Sequence, residues 1–339
     1  MKELFGVCSD GQEAWLYTIS CDGITAQVSD LGATLVKLFV PAKDGTVADV
    51  VLGFDNPDDY IRCGAFFGAV VGRNANRVRN GAFTLNGKKY QLDQNDNGVH
   101  NLHSGFNPYK NRIWQVESHT SHSITFLLNS PDGDQGFPGN AVIRATYTLE
   151  DGGVLRLVYD AVCDQDTVFN MTNHTYFNLA GHDHPEKSVH QHLCIPGSFF
   201  TPDDALSIPT GELRNVEGTP FDFRVAKPIS ADIGEDYDAL NLQGGYDHNF
   251  AAAAPVCAIL SDPESGRVME VSTDCPGIQF YCGNFLNGEI GKGGVSYCYR
   301  GGVALETDYF PDAVNHPEWK QPFVKANEPY HSETTYTFK

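Results

Sequence analysis

Apolar and polar residues alternate with a period of two along most of the chain, in runs bounded by glycine, asparagine, aspartate and proline. Long stretches with helical period and caps are hard to find, so the pattern predicts an all-β protein. The clearest pair of strands is Phe83 to Leu85 and Lys88 to Leu92, around Asn86-Gly87, a dipeptide that accepts positive φ at both central positions of a type I′ hairpin. Ala141 to Leu149 and Val154 to Val162 predict a second hairpin across Glu150-Asp151-Gly152-Gly153, whose glycines tolerate left-handed backbone. Further strands are expected at Trp15 to Ser20, Thr25 to Val28, Thr34 to Val40, Ala48 to Leu52, Ile113 to Val116, Ser123 to Leu128, Val268 to Thr273, Ile278 to Tyr281, Gly302 to Thr307 and Thr334 to Phe338.

No repeat, low-complexity tract or linker divides these strands, so residues 1–339 are read as a single domain. Ser207 to Gln243, rich in proline, glycine and acidic residues, reads as a long excursion over the surface. Antiparallel strands in this number need two layers to cover their apolar faces, which points to a large antiparallel β-sandwich.

Composition narrows the function classes. The 43 acidic residues outnumber 23 basic ones, and the formal net charge of −20 repels nucleic acid and anionic membrane surfaces alike. No nucleic-acid or membrane partner is therefore expected. The apolar stretches Phe66 to Gly72 and Phe250 to Leu260 fall far below the roughly 18 residues of a membrane-spanning helix. The first residues, Met1 to Asp10, meet charge and glycine too soon for a signal peptide, and the cysteines lack the spacing of a disulfide framework or zinc ribbon. A soluble, cytoplasmic protein with reduced thiols is expected, either monomer or homodimer.

Against this background a few short segments gather charged, imidazole and amide groups among glycines and aromatics. In Gly72-Arg73-Asn74-Ala75-Asn76-Arg77-Val78 the guanidinium and amide groups form a dense set of planar donors, suited to carboxylates or sugar hydroxyls. A solvated turn or an internal ion pair would use the same residues. His103 lies in Asn101-Leu102-His103-Ser104-Gly105, and His174 in Asn170 to Gly181, where an extended strand would set Thr172, His174, Tyr176 and Asn178 on one face. Asp247 sits in Tyr246-Asp247-His248-Asn249-Phe250 and Gln279 in Pro276 to Tyr281. In Gly302 to Thr307 the residues Val303, Leu305 and Thr307 face one way and Ala304 and Glu306 the other. Glu306 is thus a carboxylate in an otherwise apolar strand, which must be paired, hydrogen-bonded or functional. A structural ion pair with an arginine satisfies the same requirement.

Other chemistries find no support. The scattered histidines lack a two-histidine helical spacing or a paired-cysteine motif, so no metal is assigned. No glycine-rich nucleotide loop follows a strand into a helix, and no Gly-x-Ser-x-Gly elbow is present.

Taken in order, GRNANRV at 72–78, NLHSG at 101–105, NMTNHTYFNLAG at 170–181, YDHNF at 246–250, PGIQFYCGNF at 276–285, ALET at 304–307 and PDAVN at 311–315 resemble the galactose mutarotase (aldose 1-epimerase) family. The resemblance is essentially full length. It implies a large β-sandwich of the galactose mutarotase-like supersandwich type, and interconversion of the α and β anomers of free aldohexoses without a cofactor. By motif it makes Glu306 the general base and His174 the general acid, with Arg77, His103, Asp247 and Gln279 orienting the sugar and Asn76 joining them. Asn74, and Ser104 where a second glycine is common, depart from the pattern beside these residues and bear on sugar preference. A hexose-6-phosphate 1-epimerase would need an added basic cluster, which the sequence does not mark. A silent sugar-binding sandwich would have no reason to keep both Glu306 and His174. A glycosidase would need two carboxyl groups flanking the bond, which Glu306 and Asp247 could supply.

Overall fold

The computed structural model describes residues 1–253 and 255–339. Three antiparallel sheets carry the fold. The amino-terminal one is a five-stranded meander of Lys2–Val7, Glu13–Cys21, Ile24–Ser29, Thr34–Pro41 and Val47–Asp49. The largest has nine strands, in spatial order Gln115–His119, Ser123–Ser130, Ala141–Glu150, Val154–Cys163, Tyr330–Phe338, Val268–Thr273, Val256–Ser261, His192–Cys194 and Lys227–Pro228. The third has six, in the order Tyr176–Phe177, Val303–Asp308, Gly277–Tyr281, Asp247–Ala251, Phe199–Thr201 and Arg214–Asn215.

Alternation decides what each strand buries. In Val154–Cys163 the side chains of Leu155, Leu157, Tyr159, Ala161 and Cys163 are buried while the positions between them are half-buried or exposed, as expected of a sheet packed on one face. Val303–Asp308 and Gly277–Tyr281 are buried at every position, because both faces of the six-stranded sheet are covered. One apolar cluster joins Leu157 and Tyr336 of the nine-stranded sheet to Val28 and Leu38 of the meander and to Val303, Leu305, Ile278 and Phe280 of the six-stranded sheet. The nine-stranded sheet thus packs against the other two, with Tyr17 edge-on to Phe126 at 6.0 Å and Phe177 against Tyr336 at 5.2 Å. This is a β-sandwich. Truncating one of these core side chains, as in Leu157→Ala, is expected to destabilise it by about 2–5 kcal/mol.

Both hairpins form where the turn residues place them. Asn86 and Gly87 take φ of 52° and 76° between Ala82–Leu85 and Lys88–Gln91, and Gly152 and Gly153 take 81° and 76° between Ala141–Glu150 and Val154–Cys163. Elsewhere tertiary contacts move the boundaries. The strand expected at Ala48 to Leu52 closes at Asp49, and Val51 makes only an isolated bridge to Phe177. Ile113 likewise bridges Leu31, and its strand runs over Gln115–His119. Within the apolar run 250–260, position 254 lies outside the described residues, and strands flank it on both sides.

Two expectations change more substantially. Ser207 to Gln243 is not a surface excursion: Ile208, Val216, Phe221, Phe223, Ile229, Ala239 and Leu240 are all buried, and it ends in the short helix Asp238–Gln243. Its proline and acidic residues obscure a sparse apolar set, most of which joins the main core. The segment around His174 is not one strand but two, Thr172–Asn173 on Val70–Val71 and Tyr176–Phe177 on Val303–Ala304. Asn173 Oδ1 accepts the backbone N–H of Thr175 at 3.1 Å, a local turn that competes with the ladder. The nine cysteines are free thiols, and among the described residues no helix is long and apolar enough to cross a membrane.

Candidate active site

Register on the six-stranded sheet sets the first part of the site. Directly opposed residues of antiparallel strands share a face. Gln279 opposes Glu306 on one side and Asn249 on the other, and Tyr281 opposes Asp247 and Ala304. Asp247, Gln279, Tyr281 and Glu306 therefore point the same way, while His248, Phe280 and Leu305 point into the sandwich. Tyr176, opposite Ala304, extends this polar face toward His174.

The second part comes from loops that fold over this face. Arg77–Val78 pairs with Asn101–Leu102, and the connection continues as a reciprocal pair. The Asn76 N–H donates to His103 Nδ1 at 3.2 Å, and the His103 N–H donates to the Asn76 carbonyl at 3.0 Å. His103 Nδ1 is thus an acceptor and the ring proton sits on Nε2. Phe66, Asn76, His103 and Ser104 all adopt φ between 49° and 74°, a left-handed backbone that Asn accepts readily and Phe and His do not. Strain held at several neighbouring positions is a feature of functional loops.

Between the two parts lies a cavity of about 320 Å³ lined by Asn76, Arg77, His103, His174, Tyr176, Asp247, Tyr281 and Glu306, with Phe66, Leu102, Phe285, Leu286 and Glu289 at its apolar side and rim. His174 Nε2 stands 3.5 Å from Glu306 Oε1. The imidazole stacks on Tyr176 with ring centroids 5.0 Å apart and meets His103 edge-on at 5.3 Å. Across the cavity, Arg77 Nε donates to Asp96 Oδ2 at 2.8 Å, which leaves the rest of the guanidinium uncommitted. Gln279 is not among the lining side chains. It lies behind Asp247 and donates to its Oδ1 at 2.8 Å.

Burial dominates the electrostatics. It raises the Glu306 carboxyl well above the ordinary carboxylate range, with Asp308 and Asp247 adding to the effect. It depresses the His174 imidazole to about 4, and that of His103 well below its usual value with help from His174 and Arg77. Asp247 is raised by burial, opposed by Arg77 and by the Gln279 hydrogen bond. Acidic and imidazole groups perturbed by burial in one cleft are a signature of acid–base chemistry. Among the described residues, no group of three His, Cys, Asp or Glu side chains is placed to hold a metal ion.

All the expected residues meet at this place: Glu306, His174, Arg77, His103, Asp247 and Asn76 on the cavity, and Gln279 one remove behind it. Thr172 and Asn178 are buried away from it, so of the row expected around His174 only His174 and Tyr176 reach the cavity. Sequence reasoning missed Phe66 and Glu289, which sit in stretches without a dense polar pattern, Phe285, which ends the segment 276–285 but was given no role, and Asp96, which only the fold brings to Arg77.

The sequence profile described as aldose 1-epimerase matches residues 16–337. The galactose mutarotase of Bos taurus is 40% identical over 95% of this chain and 93% of its own. The aldose 1-epimerase of Escherichia coli strain K12 is 38% identical over 100% of this chain and 99% of its own. Among solved structures, an aldose epimerase homologue from C. elegans superposes with a TM-score of 0.88 at 32% identity, covering 96% of this chain and 99% of that one. A galactose 1-epimerase from Lactobacillus acidophilus gives 0.87 at 27%, covering 100% and 98%. With such agreement over nearly its whole length, the chain belongs to the aldose 1-epimerase family and is an isomerase of that kind.

Proposed function

We propose that the enzyme interconverts the α and β anomers of free aldohexoses such as D-galactose and D-glucose, with Glu306 as general base and His174 as general acid. The observation that carries this reading is the 3.5 Å separation of His174 Nε2 and Glu306 Oε1 on a cavity whose remaining polar groups suit hydroxyls. The Glu306 carboxylate takes the C1 hydroxyl proton as the His174 imidazolium gives its proton to the ring oxygen. The C1–O5 bond breaks, and the products are a C1 aldehyde and a free C5 hydroxyl. Rotation about C1–C2 presents the other carbonyl face. Closure then reverses both transfers, so no net proton is gained or lost.

Burial favours the opening step. The charged pair, carboxylate beside imidazolium, accompanies the cyclic sugar, whereas the open aldehyde leaves a neutral carboxylic acid beside a neutral imidazole. The dehydrated site disfavours both charges, as the upward shift of Glu306 and the downward shift of His174 express. Asp247 accepts from hydroxyls while Arg77 and His103 Nε2–H donate, fixing the sugar away from C1 so that C1 stays free to turn. The test is polarimetry on freshly dissolved α-D-galactose, comparing the enzyme, Glu306→Gln and buffer alone. Strong acceleration that the substitution removes is expected. No acceleration by the unaltered enzyme would overturn the reading.

A further inference from the structure

The segment Pro311 to Asn315 takes no part in the cavity, yet it touches the loop that does. Asp312 is 1% exposed, with φ of 58°, and opens the short turn Ala313–Asn315. Its N–H donates to the Arg77 carbonyl at 2.9 Å, and its Oδ1 accepts the Arg79 N–H at 2.9 Å. The two bonds bracket the peptide units that follow Arg77. Asn315 Nδ2 donates to the same Oδ1 at 2.7 Å and holds the carboxylate in place. Oδ2 makes no hydrogen bond and faces Arg79 and His316 at 3.9 and 3.7 Å, so a single oxygen does the clamping.

Arg77 needs such support. The strand that carries it has only two residues, and its partner, Asn101–Leu102, is equally short. So short a ladder leaves the backbone free to shift by amounts that matter to a bound sugar, where even about 1 Å of misplacement is costly. The clamp also has a fixed origin: Asp312 follows closely on Val303–Asp308, the inner strand of the six-stranded sheet that bears Glu306. It ties the loop holding the sugar to the strand holding the base.

We propose that Asp312 is a positioning residue for sugar binding, acting through Arg77; this rests on the reading of Arg77 as a sugar ligand. Left-handed backbone at 312 suits Asp, Asn and Gly, which separates the clamp from the fold. Asp312→Gly keeps the backbone and loses the acceptor, while Asp312→Asn keeps both. Equilibrium binding of D-galactose and polarimetric KM and kcat should be measured on both variants, alone and in an Arg77→Ala background. Asp312→Gly is expected to raise Kd and KM about tenfold with kcat within about twofold, since lost ground-state binding moves KM alone. Asp312→Asn should return both to within about twofold. In the Arg77→Ala background Asp312→Gly should add nothing, because two residues on one path are non-additive. Effects that multiply in the double variant, or an unchanged Kd for Asp312→Gly, would overturn the proposal. If Asp312→Gly does not fold, the exposed Asn315→Ala takes its place, with a rise of about threefold expected and an unchanged Kd overturning the clamp. Because Kd is read without turnover, an enzyme that binds galactose but does not accelerate its mutarotation would sink the anomer reading and leave the clamp standing.

Discussion

The two sides of the cavity are built in opposite ways. Glu306 and Asp247 stand on antiparallel strands that each pair over five residues with Gly277–Tyr281 between them, where a side chain has little freedom and its charge is heavily penalised. Arg77, His103 and Asn76 stand on loops joined by a two-residue ladder, with left-handed backbone at Asn76 and His103. In the proposed mechanism the sheet side brings the Glu306 base, for which fixed geometry and shifted acidity matter, beside the Asp247 acceptor for hydroxyls. The loop side supplies hydrogen-bond donors whose aim depends on a few side-chain ties, chiefly Asp96 on the guanidinium and Asp312 on the backbone. Damage to the Glu306 base should therefore appear in kcat, and damage to the loop side or to Asp247 in KM.

The sharpest way to break that division is Glu306→Gln. A positioned general base is worth about 10²- to 10⁴-fold, so kcat for galactose is expected to fall by that factor while KM stays within a few-fold. The same substitution removes a buried carboxyl whose ionisation the site opposes, and thermal unfolding should show a melting temperature equal to or above that of the unaltered enzyme. A change confined to KM would show that Glu306 binds rather than reacts.

The pH profile tests the same side by a smaller lever. The working pair holds one proton. A second proton silences the base, and because burial depresses His174 to about 4 the acid limb of kcat/KM is expected near there rather than near the ordinary imidazole value of about 6.5. Loss of the shared proton silences the acid, and the raised pKa of Glu306 carries that alkaline limb above the usual carboxylate range. Activity should thus be flat between the limbs and fall about tenfold per pH unit below the lower one. An acid limb near 6.5 would mean that His174 is solvated and the cavity wet.

The same division governs what could be read from the sequence. Of the sheet-side strands, Gly277–Tyr281 and Val303–Asp308 announce themselves by period-two alternation, whereas Asp247–Ala251, whose polar residues stand next to one another, was not read as a strand. That alternation also set Ala304 and Glu306 opposite Val303 and Leu305, as the sheet bears out, because only one face joins the main core. The loop side has no periodicity, so Arg77 and His103 stood out only by their dense polar neighbours. Phe66 and Glu289 come from chemically ordinary stretches and reach the cavity through tertiary folding alone, and Asp96, in a polar turn, is brought to Arg77 in the same way. The break at His174 was hidden for a related reason: the turn is made by the Asn173 side chain, inside a run whose alternation otherwise reads as continuous strand.

On the loop side, Asp96→Asn should matter less than loss of the base but should move the other constant. Arg77 and Asp96 have side-chain exposures of 16% and 13%, so their bond is only partly screened by water. With a neutral amide in place of the Asp96 carboxylate the guanidinium is held less tightly and is drawn toward Asp247, which lies within its field. An Arg77–Asp247 pair would occupy groups assigned to hydroxyls. A rise in KM of about three- to tenfold with kcat unchanged is expected from polarimetric progress curves. A fall in kcat instead would make Arg77 part of the proton-transfer side.

Gln279 sits on the boundary, on a sheet strand between Glu306 and Asn249 but touching the binding carboxylate, and it should give the smallest effect. Its amide stabilises ionised Asp247, lowering a pKa that burial raises. Gln279→Met removes that bond at similar volume, so the Asp247 pKa rises further and a larger fraction is protonated at any given acidic pH. Protonated Asp247 accepts fewer hydroxyl bonds. The KM for galactose should then rise about two- to threefold at neutral pH, by more at pH about 5 and by less at pH about 8, since deprotonation restores the acceptor as pH increases. In an Asp247→Ala background Gln279→Met should change nothing. A KM increase independent of pH, or one that survives the loss of Asp247, would show that Gln279 reaches the sugar itself and that the sheet contributes a second binding contact beside Asp247.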